Sequence, residues 1–169
     1  YAIYRGYRNK KLANAQLFEQ KQLIQKSATL AAKSERKFRD LYDNSPELLL
    51  SIDLSTQNIL ECNNTLLKKL DYSKEELIGT NILNLYHPDS HELARKAFSQ
   101  YLDEGHVHNA ELQVIKKNGE AFPILLDVTE NIEEETGKSY TRSAWRDISE
   151  RKKVEKILSH TNEALEFAN

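Results

Sequence analysis

Trp145-Arg146-Asp147-Ile148-Ser149-Glu150-Arg151-Lys152-Lys153-Val154-Glu155 is the stretch in which strand-like sequence turns helical within three residues. Ahead of it, Ser139 to Arg146 is built of Tyr, Thr, Trp and small residues suited to a strand. Behind it, Val154, Ile157, Leu158, Ala164, Leu165 and Ala168 recur at helical spacing. Asp147 followed three residues later by Glu150 fits a capping box, in which a side-chain oxygen accepts from an orphan N–H of the first turn and the Glu returns the contact. The pattern predicts a last strand that runs straight into a helix, with Arg142 or Arg146 as the cation beside Asp147. A rigid junction of this kind, comprising Trp145, Asp147, Ile148, Ser149 and Glu150, can pass a change in the sheet to whatever follows it.

Working back to the start of the chain, charge is unevenly spread although the net charge is only -2. Residues 1–40 hold ten Lys and Arg against three Asp and Glu, whereas residues 41–147 hold ten against nineteen. Arg5, Arg8, Lys10 and Lys11 precede the first acid, Glu19, and Tyr1, Ile3, Tyr4 and Tyr7 lie among or just before them. Aromatic residues followed by a basic cluster suit the cytoplasmic exit of a preceding membrane segment, since Tyr prefers the headgroup layer and Lys or Arg stays on the cytoplasmic side. A solvated basic helix end would look the same. No nucleic-acid partner is expected. The single Cys62 excludes an internal disulfide and fits a reducing compartment, and one thiol with scattered His gives no zinc spacing. No apolar run approaches the roughly 18 residues of a membrane span. A first residue of Tyr1 and the absence of Met lead us to expect a piece of a longer protein.

Residues 9–42 contain neither Gly nor Pro and are rich in Ala, Leu, Gln, Lys and Glu, which predicts one long helix. Leu17, Ile24, Ala31 and Phe38 recur every seven residues, with Asn14, Lys21, Ala28 and Glu35 at the companion position. That is a heptad with a mostly polar second seam, hence a weak, adjustable coiled coil.

After Asn44-Ser45-Pro46 the pattern changes. Residues 47–54 and 59–63 read as strands around a turn at 55–58, and residues 64–70 as a short helix. Ser73 with Glu76 predicts a capped helix ending at Gly79, and Asp89 with Glu92 another running to about Asp103, with Leu93, Phe98, Tyr101 and Leu102 on its inner side. Three strands follow. Residues 107–115 alternate, turn at Asn118-Gly119 with a type I′ signal, and return through Phe122, Ile124, Leu126 and Val128. Thr136-Gly137 supplies the turn to the last strand, 139–146. The sum is an α+β domain, residues 43–148, between a helix at 1–42 and a linker helix at 149–169.

Five segments of that domain resemble, in order and spacing, the signatures of the PAS family of sensory domains. They are Phe38-Arg39-Asp40-Leu41-Tyr42-Asp43-Asn44-Ser45-Pro46, Tyr72-Ser73-Lys74-Glu75-Glu76-Leu77-Ile78-Gly79, His87-Pro88-Asp89, Asn118-Gly119-Glu120-Ala121-Phe122-Pro123 and Asp147-Ile148-Ser149-Glu150-Arg151-Lys152. The resemblance implies a five-stranded antiparallel sheet with helices over one face, a pocket or core between them, and a role as sensor or dimerisation module in bacterial signalling. One departure is Asp71, where the family usually has Gly before its Tyr-Ser pair. Asn14, Leu17 and Ile24 with the intervening Gln and Lys resemble the helix after the last membrane span of some sensor histidine kinases, and Asn162-Glu163-Ala164-Leu165-Glu166-Phe167-Ala168-Asn169 resembles the linker just before a kinase's phosphoacceptor helix. They imply an inner-membrane parent of the two-component type with this chain on the cytoplasmic side. A cyclic-dinucleotide cyclase or phosphodiesterase, or a partner protein bound through the sheet, are the alternative outputs.

The possible chemical sites are sparse. Ser90-His91-Glu92-Leu93 lacks the Arg-Thr-Pro continuation of a phosphoacceptor box, and Ser159-His160-Thr161-Asn162 lacks an acidic neighbour and the Pro. In the related flavin light sensors the resemblance calls for Gly-x-Asn-Cys, but here Gly79-Thr80-Asn81-Ile82 stands. Haem would need an axial His on the long helix of the domain, and His87 and His91 sit at its start, where surface or capping roles are ordinary. His106 and His108 fall on one face of a strand, the spacing of a weak metal site at most. No metal and no cofactor are predicted, with haem or non-covalent flavin left open. No nucleophile, base and orienting group form a set, and no phosphate-cradling loop exists among five Gly, so no catalysis is expected of this chain and its kinase activity belongs to the parent. Trp145 is expected to fill the core. The expected pocket or core lining is Leu66, Leu67, Leu70, Leu77, Ile82, Leu93, Phe98, Tyr101, Leu112, Val114 and Leu126, apolar throughout and without convergent polar groups.

The heptad generates a prediction. Leu17, Ile24, Ala31 and Phe38 make one apolar stripe, so the chain should sediment as a parallel homodimer. A monomer at high micromolar concentration, or a dimer indifferent to Leu17→Asp with Ile24→Asp, would overturn this.

Overall fold

The computed structural model describes residues 2–132 and 139–167. The chain falls into two compact units, Tyr1–Tyr42 and Asp43–Asn169. The first is almost all of helix α1, Ala2–Asp43. Ser27 and Thr29 bond back to the carbonyls of Ile24 and Gln25, and Glu35 pairs with Arg39 at 2.9 Å, one turn on. Of the heptad stripe, Leu17, Ile24 and Phe38 are 51%, 61% and 67% exposed, and Ala31 is exposed as well. Tyr1 and the side chains of Ile3, Tyr4, Arg5 and Tyr7, on which the membrane-exit reading rests, lie outside the described residues.

The second unit carries the sheet. Its strands are β1 Leu48–Ile52, β2 Ile59–Cys62, β3 His106–Ile115, β4 Ala121–Ile132 and β5 Ser139–Asp147. All neighbours pair antiparallel in the order β2-β1-β5-β4-β3, so the last strand in sequence is the central one. Between β2 and β3 run α2 Asn64–Leu70, α3 Lys74–Leu77, two 3-10 turns at Ile82–Leu85 and Pro88–Ser90, and α4 His91–Glu104; α5, Ser149–Phe167, leaves the end of β5. Alternation decides the inner face: Leu48, Leu50 and Ile52 of β1 are buried with half-buried residues between them, and Thr141, Ser143 and Trp145 of β5 are buried around exposed Arg142 and half-buried Ala144. Trp145 pairs across to Leu48 on one side and Leu126 on the other, with no exposed surface.

Several local expectations are corrected. The helix α4 is not capped by Asp89 and Glu92; Asp89 is taken up in the preceding 3-10 turn, where the His87 side chain accepts from its N–H at 3.3 Å, and α4 begins after Ser90. Its inner side is Ala94, Ala97 and Tyr101 with Phe98 half-buried, while Leu93 and Leu102 are 49% and 61% exposed. The β3–β4 turn is not type I′, which needs two left-handed residues. Here only Gly119 has positive φ, +86°, after a turn closed by its N–H to the Lys116 carbonyl at 2.9 Å, and Asn118 Oδ1 instead accepts from the Glu120 N–H. The capping box at Ser73 does form: the Glu76 carboxylate accepts from the Ser73 N–H at 2.9 Å. Asp71 ends α2 in the left-handed region, φ +63°, the conformation that favours the Gly it replaces. Residues 133–138, with the Thr136-Gly137 turn, and Ala168 lie outside the described residues, as do the side chains of Ala164 and Leu165.

Asn63 is a tie that the sequence pattern concealed. It is fully buried; its Oδ1 accepts from the N–H of Leu49 at 3.1 Å and of Leu66 at 3.0 Å, and its Nδ2 donates to the Glu47 carbonyl at 3.0 Å. One amide thus caps α2 and fastens it to β1. Asn63→Ala should lower stability by about 1–3 kcal/mol, since it strands buried backbone groups as well as removing a cap. Urea unfolding measures this, and a loss below about 0.5 kcal/mol would show the amide to be dispensable.

Candidate functional site

The inner face of β5 builds the site. Thr141 and Ser143 are small and polar where the neighbouring strands present Ile52, Leu126 and Val128, and α4 faces them with Ala94 and Ala97 in place of larger residues. Small residues on both sides leave space. A cavity of about 290 Å³ lies there, lined also by Ile82, Leu83, Tyr86, Phe98 and Tyr101, with Gln57, Arg95 and Ser99 among its polar groups. This is the low end of the range for ligand pockets, sized for a small and largely apolar molecule. Thr141 Oγ1 accepts from the Ile52 N–H at 3.4 Å and lies 3.4 Å from Ser143 Oγ. The two hydroxyls thus stay oriented within an apolar wall. Tyr86 stacks obliquely on Trp145, ring centroids 5.4 Å apart, and burial pushes its hydroxyl well above the ordinary value of 10. The Trp145 indole N–H adjoins that hydroxyl and pulls the other way, although no well-aligned hydrogen bond joins them.

Two residues beyond Trp145, β5 becomes the junction. Asp147 Oδ1 accepts from the Ser149 N–H at 2.8 Å and from the Ser149 hydroxyl at 2.6 Å, and its Oδ2 receives Lys69 Nζ of α2 at 2.6 Å. The cation is therefore Lys69, neither Arg142 nor Arg146; Arg146 reaches Glu47 at 3.0 Å instead. Glu150 does not complete a capping box but pairs with Lys153 at 2.7 Å, and the first intrahelical bond runs from the Lys152 N–H to the Ile148 carbonyl. Ile148 is buried, and its N–H donates to the Pro123 carbonyl of β4 at 3.1 Å. Lys69 also lies 5.0 Å from the centre of the Phe122 ring. Lys152 reaches Glu111 of β3 at 2.6 Å, adding another tie between the first turn of α5 and the sheet.

The expected lining divides accordingly. Ile82, Phe98, Tyr101 and Leu126 face the cavity. Leu66, Leu70, Leu77, Leu112 and Val114 are buried in the core away from it, Leu67 is half-buried, and Leu93 is exposed. Thr141 and Ser143 line the cavity without having been expected there, and their signal was present: they precede the core Trp145 by four and two residues, the spacing of one strand face. Cys62 is buried, with its thiol pushed up by that burial, and is unsuited to act as a nucleophile.

An antiparallel sheet with helices and an inner cavity, continued from its central strand into an exit helix, defines a class of domain. The family model described as PAS domain matches residues 46–150, and the chain belongs to that family. The methyl sulfide methyltransferase-associated sensor of Methanosarcina acetivorans is 28% identical over 129 residues, which is 76% of this chain and 13% of that protein. Among solved structures, the PAS domain of an HTR-like protein from Haloarcula marismortui superposes with a TM-score of 0.64 at 18% identity, over 73% of this chain and 99% of that one. A PAS domain from a two-component sensor histidine kinase does so with a TM-score of 0.57 at 16% identity, over 69% and 98%. The two structural likenesses speak for the fold alone.

The junction has an acid signature. Burial alone would raise the Asp147 carboxyl, but Lys69 and the two Ser149 donors outweigh it and hold the group below its ordinary 3.8. A carboxyl depressed by folding stabilises fully above its unfolded value, and that stability is lost as pH falls through the lower folded value. Asp53, held down to about 2 by Ser55 and Thr56, titrates in the same direction in the β1–β2 turn. Asp147→Asn should therefore lose less stability than the parent as pH falls below about 4, the Asp53 share being common to both. Melting midpoints across that range test this, and parallel curves would remove Asp147 from the acid response.

Proposed function

We propose that the chain is a regulatory sensor and dimerisation module that carries a signal from its cavity through β5 into α5 and on to an output domain of the same polypeptide, a sensor histidine kinase of the two-component type. The observation that carries the reading is the continuity of β5. One strand presents Thr141 and Ser143 to the cavity, buries Trp145 beside Tyr86, and ends on the carboxylate that grips both α2 and the first turn of α5. A ligand that shifts Tyr86 or α4 would press on Trp145, and its displacement would reach Asp147 within the same rigid strand. The naming of one relative as a sensor supports the sensory role assigned.

On this reading α1 supplies the homodimer, through Leu17, Ile24, Ala31 and Phe38, and brings a second signal from a preceding membrane segment on the cytoplasmic side. Exposed Arg8, Lys10 and Lys11 suit the anionic leaflet there. No helix among the described residues is long and apolar enough to cross a membrane. The role proposed for these residues is regulation, with catalysis assigned to the output domain.

The energies favour transmission without unfolding. A cap is worth about 1 kcal/mol and a part-exposed ion pair about 0–1 kcal/mol, small against the roughly 5–15 kcal/mol that holds a domain folded. The same amount is large for a signalling equilibrium balanced within a few kcal/mol. Asp147→Ala and Lys69→Ala in the full-length parent should each leave the domain folded, with melting lowered by only a few degrees, and uncouple output activity from its signal. Regulation unchanged in both variants would sink the proposal.

A further inference from the structure

We propose that His106 and His108 form a surface site for a divalent transition-metal ion of the Cu2+, Ni2+ or Zn2+ class, held by the Nε2 atoms of the two imidazoles with water completing the coordination. The two residues open edge strand β3 on either side of the fully buried Val107, so both side chains stand on the solvent face, and both are exposed. The rings lie 4.9 Å apart, centre to centre, at 44°. With metal–nitrogen bonds of about 2.0–2.1 Å, two imidazoles on one ion place their ring centres about 4.5 Å apart at a right angle and about 5.2 Å apart at the tetrahedral angle. The observed separation falls between the two.

The tautomers are set for it. His106 Nδ1 lies 3.0 Å from the carbonyl oxygen of Glu104 and His108 Nδ1 lies 3.4 Å from Asp127 Oδ1. Both partners are acceptors, so in the neutral form of each ring Nδ1 carries the proton and Nε2 keeps its lone pair. A carbonyl or carboxylate behind the remote nitrogen is the arrangement that orients histidine metal ligands and raises their basicity. Asp127 is itself fixed by the Asn109 N–H at 2.9 Å, in a bulge where Asn109 takes φ +54° and the β3–β4 register slips between Val107 and Ala110. The bulge turns an ordinary edge into a supported pair.

No group of three or more His, Cys, Asp or Glu able to hold a metal forms among the described residues, so the protein supplies two ligands. Two neutral imidazoles with open water positions suit a reversible, exchangeable ion rather than a structural one, and the affinity order favours Cu2+. The site lies apart from the cavity, whose lining includes neither histidine, and gives the sheet a second point of chemical input.

The test is titration of the 169-residue chain with NiCl2 and with CuCl2, followed by calorimetry and by the melting midpoint. One equivalent should bind and raise the midpoint. His106→Ala and His108→Ala should each weaken binding at least tenfold and abolish the rise, while His87→Gln with His160→Gln changes neither. Circular dichroism of the two Ala variants confirms that the sheet is retained, as expected for exposed positions. Wild-type affinity in either Ala variant, or binding lost with His87 and His160, would overturn the assignment.

Discussion

The carboxylate of Asp147 is the point on which the rest of the second unit depends mechanically. It stands where the central strand stops and the exit helix starts, and its two oxygens engage groups from different elements: Ser149 of α5 on one, Lys69 of α2 on the other. A strand end would otherwise leave its following helix free to pivot. With Ile148 also bonded to Pro123 and buried, the direction of α5 is set by the sheet rather than by its own sequence. The grip is cheap in free energy, so it fixes the direction of α5 without being a main support of the fold.

The cavity and the core compete for the same volume. Trp145 fills the sheet end nearest the junction, while Thr141 and Ser143, on the same face of the same strand, are too small to fill theirs, and Ala94 and Ala97 do not close the gap from above. A Leu at any of those four positions would bury more apolar surface, worth about 0.8 kcal/mol per methylene. The chain forgoes that stability where the space is and concentrates it around Leu66, Leu70, Leu77 and Val114, away from the space.

Strand alternation made the sheet legible, because Leu48, Leu50 and Ile52, or Leu112 and Val114, can point inward in only one register. The face of α4 was harder. Leu93 and Leu102 are the more hydrophobic residues and look like core, yet the inward stripe at helical spacing is Ala94, Ala97, Phe98 and Tyr101, and the two leucines fall beside it. Asp89 with Glu92 looked like the start of that helix, but a 3-10 turn takes Asp89 up and α4 begins after Ser90. Lys69 had no local signal at all, since nothing in a short helix announces which distant carboxylate it will meet. The nearest Arg was the natural expectation and the fold overruled it.

The bulge at Asn109 bears also on how copies of the sheet can meet. One outer strand, β3, is broken in register near its start, and the other, β2, is only four residues long. Neither offers the flat, uninterrupted row of backbone donors and acceptors that lets a second chain zip on as an extra strand. Runaway β-stacking between molecules is thereby discouraged at both rims, and in a crowded cell association is steered away from hydrogen-bonded fibres toward side-chain surfaces.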